Sequence, residues 1–138
     1  SVLSNVELAL TLSGVSKSER KRRAEEALKK VGLEEQIYKK PNQLSGGQQQ
    51  RTAIGRAVIK KPDILLCDEP TGALDYNTSK DILKLISDVN EKYGCTVLMV
   101  THNDAIQNMA DRVIKLHDGT IRSNIVNADK TDAALLEW

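Results

Sequence analysis

The residues best placed to do chemistry stand at the end of a short apolar run. In "ILLCDEPTGALD" (Ile64 to Asp75), Ile64-Leu65-Leu66-Cys67 delivers two adjacent carboxylates, Asp68 and Glu69, and stops at Pro70. An unbroken aliphatic run of this length has the pattern of a strand buried on both faces. Two negative charges at its end are costly unless a cation or a proton-transfer partner waits there. A second aliphatic run, Thr96 to Val100, ends on Thr101-His102. A third candidate is Ser45-Gly46-Gly47-Gln48, a helix start whose glycines leave backbone amides open to close approach. Two readings stand there: an anion site, phosphate above all, or a simple cap whose glycines permit a tight turn.

The elements that must position these residues follow from spacing. Three stretches fit the capping box Ser-x-x-Glu/Gln: Ser4 to Glu7, Ser16 to Glu19 and Ser45 to Gln48. Each predicts a helix start. The first is ambiguous, because Val6, Leu8, Leu10 and Leu12 alternate as in a strand; the cap and Ala9 favour a helix. In the second, Ala24, Ala27, Leu28 and Val31 recur at helical spacing, with Gly32 at the C-cap. Its basic face interleaves Glu19, Glu25 and Glu26 and reads as solvated. In the third, Ala53, Ile54, Ala57 and Val58 form the buried stripe, while Arg51, Thr52, Arg56 and Lys60 face out.

A helix over Thr78 to Tyr93, closed by Gly94, links the strands Ile64 to Cys67 and Thr96 to Val100. Strand, helix and strand at this length make a right-handed unit with two parallel strands. Such a unit brings Asp68, Glu69 and His102 to one sheet edge, where ligands of α/β folds collect. Asp68 alone reads as a turn acid and His102 alone as a loop histidine. Together at adjacent strand ends they point to a site. Beyond them, Asp104 to Met109 reads as a short helix. Arg112 to Leu116 and Thr120 to Ser123 flank Asp118-Gly119, a hairpin signal. Trp138 reads equally as a docked anchor or a frayed end.

Composition removes several classes. The chain has 138 residues, enough for one domain with a core. Its 20 Lys+Arg and 19 Asp+Glu leave a formal charge of +1, which makes no case for a nucleic-acid or membrane-coating surface. Aromatics are 3% with no Phe, so base stacking has few candidates and the core must be aliphatic. Cys67 and Cys95 are too few for a disulfide scaffold and read as buried thiols of a reducing compartment. No apolar run nears the roughly 18 residues of a membrane span, and no secretory signal opens the chain. It starts with Ser1 rather than Met, as expected of a piece of something longer.

"LSGGQQQR" (Leu44 to Arg51) resembles the signature motif of ATP-binding-cassette (ABC) ATPases. "ILLCDEPTGALD" is similar to that family's Walker B strand, catalytic glutamate and D-loop, and "VTHN" (Val100 to Asn103) to its His switch. Order and spacing all fit, and the three in series are very specific. "PNQLSGGQQQR", "DEPTGALD", "NVELAL" and "ADRVIKLHDG" look most like the branch of macrolide-efflux, lipoprotein-release and peptide-antibiotic-efflux ATPases. The resemblance implies an α/β fold, part of a P-loop NTPase. A helical subdomain over 1–45 would lead to the signature helix and C-terminal core, 46–123, and a tail, 124–138. It implies ATP and Mg²⁺ as cofactors. Asp68 would hold Mg²⁺ through water, Glu69 would act as general base, and His102 would bind the γ-phosphate and keep water and base aligned. Ser45, Gly46 and Gly47 would meet ATP held by a second subunit in a head-to-tail dimer, with Gln48 supporting the motif. Asp75 would lie in the loop linking the two sites. A membrane permease would be the other partner, at the cytoplasmic face of the membrane.

The family's P-loop, G-x-x-x-x-G-K-[ST], does not occur among these residues, and none of the eight glycines precedes Lys-Ser/Thr. The glutamine loop and adenine platform are missing too. The resemblance is therefore to the C-terminal part of the domain, expected to be inactive alone. Two rivals keep their place: an ABC-type ATPase of DNA maintenance, which would carry coiled coils not seen here, and a non-catalytic module that binds a permease or partner. Without the P-loop strand, Thr96 to Val100 should have an open edge. The expected remedies are closure by Arg112 to Leu116, a disordered hairpin, or the favoured one, self-association.

Overall fold

A computed structural model of the protein describes all of residues 1–138. Helix α1 is Val2–Glu7, running on into a 3₁₀ turn at Leu8–Leu10. It starts earlier than the Ser4 box suggests: Ser1 is the N-cap, and its side chain accepts from the Ser4 N–H. Burial decides this, because Val2, Leu3, Val6 and Leu10 are all in the core while Leu8 and Leu12 are exposed. Amides of Val2 and Leu3 also donate to Lys39 and Ile37 carbonyls, which fixes the start.

Helix α2, Lys17–Lys30, is capped by Ser16, whose hydroxyl accepts from the Glu19 N–H. Only that half of the box forms, because the Glu19 carboxylate takes Arg22 and Arg23 instead, each at 2.8 Å. Ala24, Ala27, Leu28 and Val31 are buried, and Gly32 closes the helix at φ +71°. Helix α3, Gly46–Val58, has the complete box: Ser45 Oγ accepts from Gln48 N–H, and Gln48 Oε1 accepts from Ser45 N–H. The outward placement of Arg51 and Thr52 is corrected. Thr52 is buried and donates to the Gln48 carbonyl at 2.8 Å. Arg51 is largely covered, with Nη1 donating to the Val31 carbonyl at 3.1 Å and Nη2 3.9 Å from Asp81. The cause is crowding: α1, α2 and the later helix α4 all pack on α3, so its buried arc exceeds one stripe.

Strand β1, Ile64–Asp68, pairs in parallel with β2, Thr96–Val100, from Ile64 opposite Thr96 to Asp68 opposite Val100. Helix α4, Tyr76–Tyr93, joins them; Asp75 is its N-cap, and Gly94 ends it at φ +62°. The expected burial of β1 on both faces is corrected. Leu65 is buried and Cys67 half-buried, but Ile64 and Leu66 are 59% and 72% exposed. One face meets the helices; nothing in the chain covers the other.

A six-residue 3₁₀ segment, Asp104–Met109, precedes strands β3, Arg112–His117, and β4, Thr120–Val126. These form a separate antiparallel hairpin with Asp118 and Gly119 at φ +47° and +73°, the geometry of a tight turn. The hairpin is longer than its sequence signal, and β3 does not pair with β2. Both in-chain remedies are thus overturned: the hairpin is folded, and the edge of β2 stays open. A main core unites α1, α2, α3, α4 and β1. A second, small cluster joins Leu83, Ile106, Ala133 and Leu136. Trp138 packs edge-on against Tyr76 at 4.9 Å, so the tail is docked. No helix is long and apolar enough to cross a membrane.

Candidate functional site

The parallel register puts the ends of β1 and β2 side by side. Glu69, one residue past β1, donates its N–H to the Val100 carbonyl at 2.9 Å. Its backbone then turns sharply at φ +43°, a region costly for a side-chain-bearing residue. The turn aims the carboxylate across at the end of β2. Glu69 Oε1 accepts the His102 backbone N–H at 2.7 Å, and Oε2 accepts the Thr101 hydroxyl at 3.4 Å. The His102 ring is almost fully exposed, with Nε2 3.7 Å from Glu69 Oε1. The imidazole thus stands beside the carboxylate and free to meet a ligand, while the backbone does the holding. A carboxylate offers about four acceptor positions, so two remain for water or a proton donor. Thr101 was not singled out from the sequence, although it lies inside "VTHN". Its role needs the register of β2 against β1.

Asp68 closes β1 with its side chain exposed. No group of three or more His, Cys, Asp or Glu gathers to cage a metal. A lone strand-end carboxylate fits an ion such as Mg²⁺, which protein binds through one or two carboxylates and which takes its other ligands from water and phosphate. Nearby Cys67 is no rival nucleophile: burial first, then Cys95, pushes its thiol up to about 11.

A second group forms where α3 and α4 begin. Asp75 Oδ1 accepts the Thr78 N–H at 3.1 Å, and Oδ2 accepts the Thr78 hydroxyl at 2.6 Å. That hydroxyl first, then the backbone N–H, holds Asp75 below the usual carboxylate range. The Thr78 methyl lies against α3: a Cβ on Gly47 would collide with Thr78 Cγ2, and one on Gly46 would reach 3.1 Å from Leu74. Gly47 is buried for that reason, whereas Ser45 and Gly46 are exposed. Gln48 spends its side-chain oxygen on the cap. Ser45, Gly46, Gly47, Gln48 and Asp75 thus fall at one junction; Glu69 and His102 meet at the strand ends, while Asp68 ends β1 without joining them in a cluster.

A family model described as "ABC transporter" matches residues 1–72. The chain belongs to the ABC transporter family. It is 46% identical over 121 residues to the ABC transporter ATP-binding protein YtrE of Bacillus subtilis, covering 88% of this chain and 52% of that protein. Over 124 residues it is 50% identical to the macrolide export ATP-binding/permease protein MacB of Haemophilus ducreyi, covering 90% and 18%. Among solved structures, the dimeric cassette MJ0796 bound to ADP and Pi superposes with a TM-score of 0.76 at 45% identity, covering 91% of this chain and 56% of that one. The chain therefore spans about half the length of YtrE and MJ0796 and less of MacB, and its fold is that of part of an ABC ATPase cassette.

Proposed function

We propose that these residues are the C-terminal part of an ATP-hydrolysing subunit that drives a membrane exporter, in the macrolide, lipoprotein and peptide-antibiotic branch. The observation that carries the proposal is the Glu69 carboxylate, turned across the sheet end and held by the His102 N–H. Fixing an acceptor oxygen at a strand end suits a general base for a water that attacks phosphate. In this reading Glu69 takes the water proton and His102 donates to the γ-phosphate. Asp68 would hold Mg²⁺ through water, and the ion would supply positive charge against the phosphates. The exposed Ser45 and Gly46 face ATP on a second, head-to-tail subunit; Gly47, expected to do the same, is covered by Thr78 and serves instead to let α3 and α4 start close together. Gln48 supports the motif, and Asp75 lies at the turn linking the two sites.

The division 1–45, 46–123 and 124–138 belongs to the same proposal, as does a place at the cytoplasmic face of the membrane through a permease. MacB, whose name joins ATP-binding and permease, supports that partner. The 138 residues alone should not turn over ATP, since they lack a P-loop and this chemistry is mostly positioning and charge stabilisation. The test is the ATPase activity of the whole gene product, with and without its membrane partner. Mg-dependent turnover that the partner stimulates supports the reading; ATP binding with no turnover in either state overturns it.

A further inference from the structure

The tail meets both loops that carry the site. After β4, Asn127 donates through Nδ2 to the carbonyls of Gln107 and Ala110, at 2.9 and 2.7 Å. Its own N–H donates to Asp111 O, and the Thr131 N–H to Asn108 O at 2.9 Å. Lys130 pairs with Asp111 at 2.8 Å. Five contacts therefore tie residues 127–131 to the segment 107–111. Farther on, Ala133 and Leu136 are buried against Ile106 and Leu83. The Leu136 carbonyl then accepts the Tyr76 hydroxyl at 3.0 Å, and Trp138 packs on the Tyr76 ring.

Each anchorage lies one short step from a site residue. Tyr76 follows Asp75 directly. On the other side, Thr101 Oγ1 accepts the Asn103 N–H, and Asn103 Oδ1 accepts the Ala105 N–H, at 3.1 and 3.0 Å. The Ile106 N–H also donates to the Asn103 carbonyl at 3.2 Å, so a hydrogen-bonded path runs from the partners of Glu69 to Ile106.

We propose that residues 127–138 are a positioning strap, with Leu136 and Tyr76 as its principal positioning residues, holding the His102 loop and the Asp75 turn in one fixed relation. This rests on the reading above for what the loops do, but not for the strap itself. The small cluster is distinct from the main core and touches it through half-buried Met99, so releasing it should loosen these loops and spare the helices around α3.

Hydrogen exchange by mass spectrometry on the full-length protein tests the strap without ATP, comparing wild type with Leu136→Ala, Tyr76→Phe and the conservative Leu136→Met. For Leu136→Ala, exchange over 73–80 and 101–110 should rise at least about tenfold, with peptides of α1, α2 and α3 unchanged and Leu136→Met close to wild type. Tyr76→Phe should loosen 73–80 alone. In the same preparations, Leu136→Ala should lower kcat for ATP and leave KM nearly unchanged. Uniform loss of protection, unchanged protection at both loops, or a rise in KM alone overturns the strap. A wild type that lacks turnover counts against the ATPase reading, while the exchange result still decides the strap.

Discussion

Glu69 stands in a backbone conformation that only its surroundings make tolerable, and its carboxylate is held chiefly by a main-chain amide. Side-chain changes at His102 should therefore leave the carboxylate in place. In the full-length protein, His102→Ala should reduce turnover while a crystal structure shows Glu69 Oε1 still on the residue-102 amide; a displaced carboxylate would contradict this. Gly47 makes a second residue-scale case. Adding a methyl there drives it into Thr78, so Gly47→Ala should destabilise the fold by about 1–3 kcal/mol. Thr78→Ser removes the colliding methyl, and the double variant should recover part of that loss in urea unfolding. Additive losses would show that the methyl contact does not matter. Asp75 adds a pH dependence whose sign is set by its lowered value. Its contribution to the α4 cap is complete above the ordinary carboxylate range and fades as pH falls below about 4 towards the folded value. Thr78→Val should raise that value, which a carboxyl titration followed by NMR would read directly.

At the scale of elements, local pattern announced most of the scaffold. The period of Ala24, Ala27, Leu28 and Val31, the glycines after α2 and α4, and the paired aliphatic runs were all legible because each is local. What escaped depends on a neighbour. The start of α1 was set by burial of Val2 and Leu3, not by the better-looking Ser4 box. Arg51 and Thr52 looked outward because one helix's period does not reveal how many helices pack on it. The nearness of Glu69 and His102 was visible as two strand ends, but the grip of Thr101 and the His102 amide needs the sheet register. The Gly47–Thr78 contact joins residues 31 positions apart and leaves no local trace. Arg51 offers the element-scale test. Arg51→Met should cost about 1–2 kcal/mol, since it unpairs the Val31 carbonyl at the end of α2. Asp81→Asn should cost little, because that pair is 3.9 Å apart and Asp81 is exposed. Equal effects would reverse this ranking.

For the whole molecule, the open face is the dominant feature. Leu66, Leu98 and Val100 are each more than half exposed, beside a β2 edge without a partner strand. Such an edge favours association. The isolated 138 residues should sediment as a concentration-dependent dimer or larger species, and Leu98→Lys should shift them towards monomer; a wild type that stays monomeric at high concentration would contradict the expectation. The central claim concerns the complete cassette, and it is tested most directly by Glu69→Gln in the full-length protein. The amide keeps the shape of Glu69 and removes its base, so Mg-dependent ATP turnover should fall by about 10²-fold or more, with ATP still bound and retained in a stable dimer. Turnover at the wild-type rate in that variant would contradict the account.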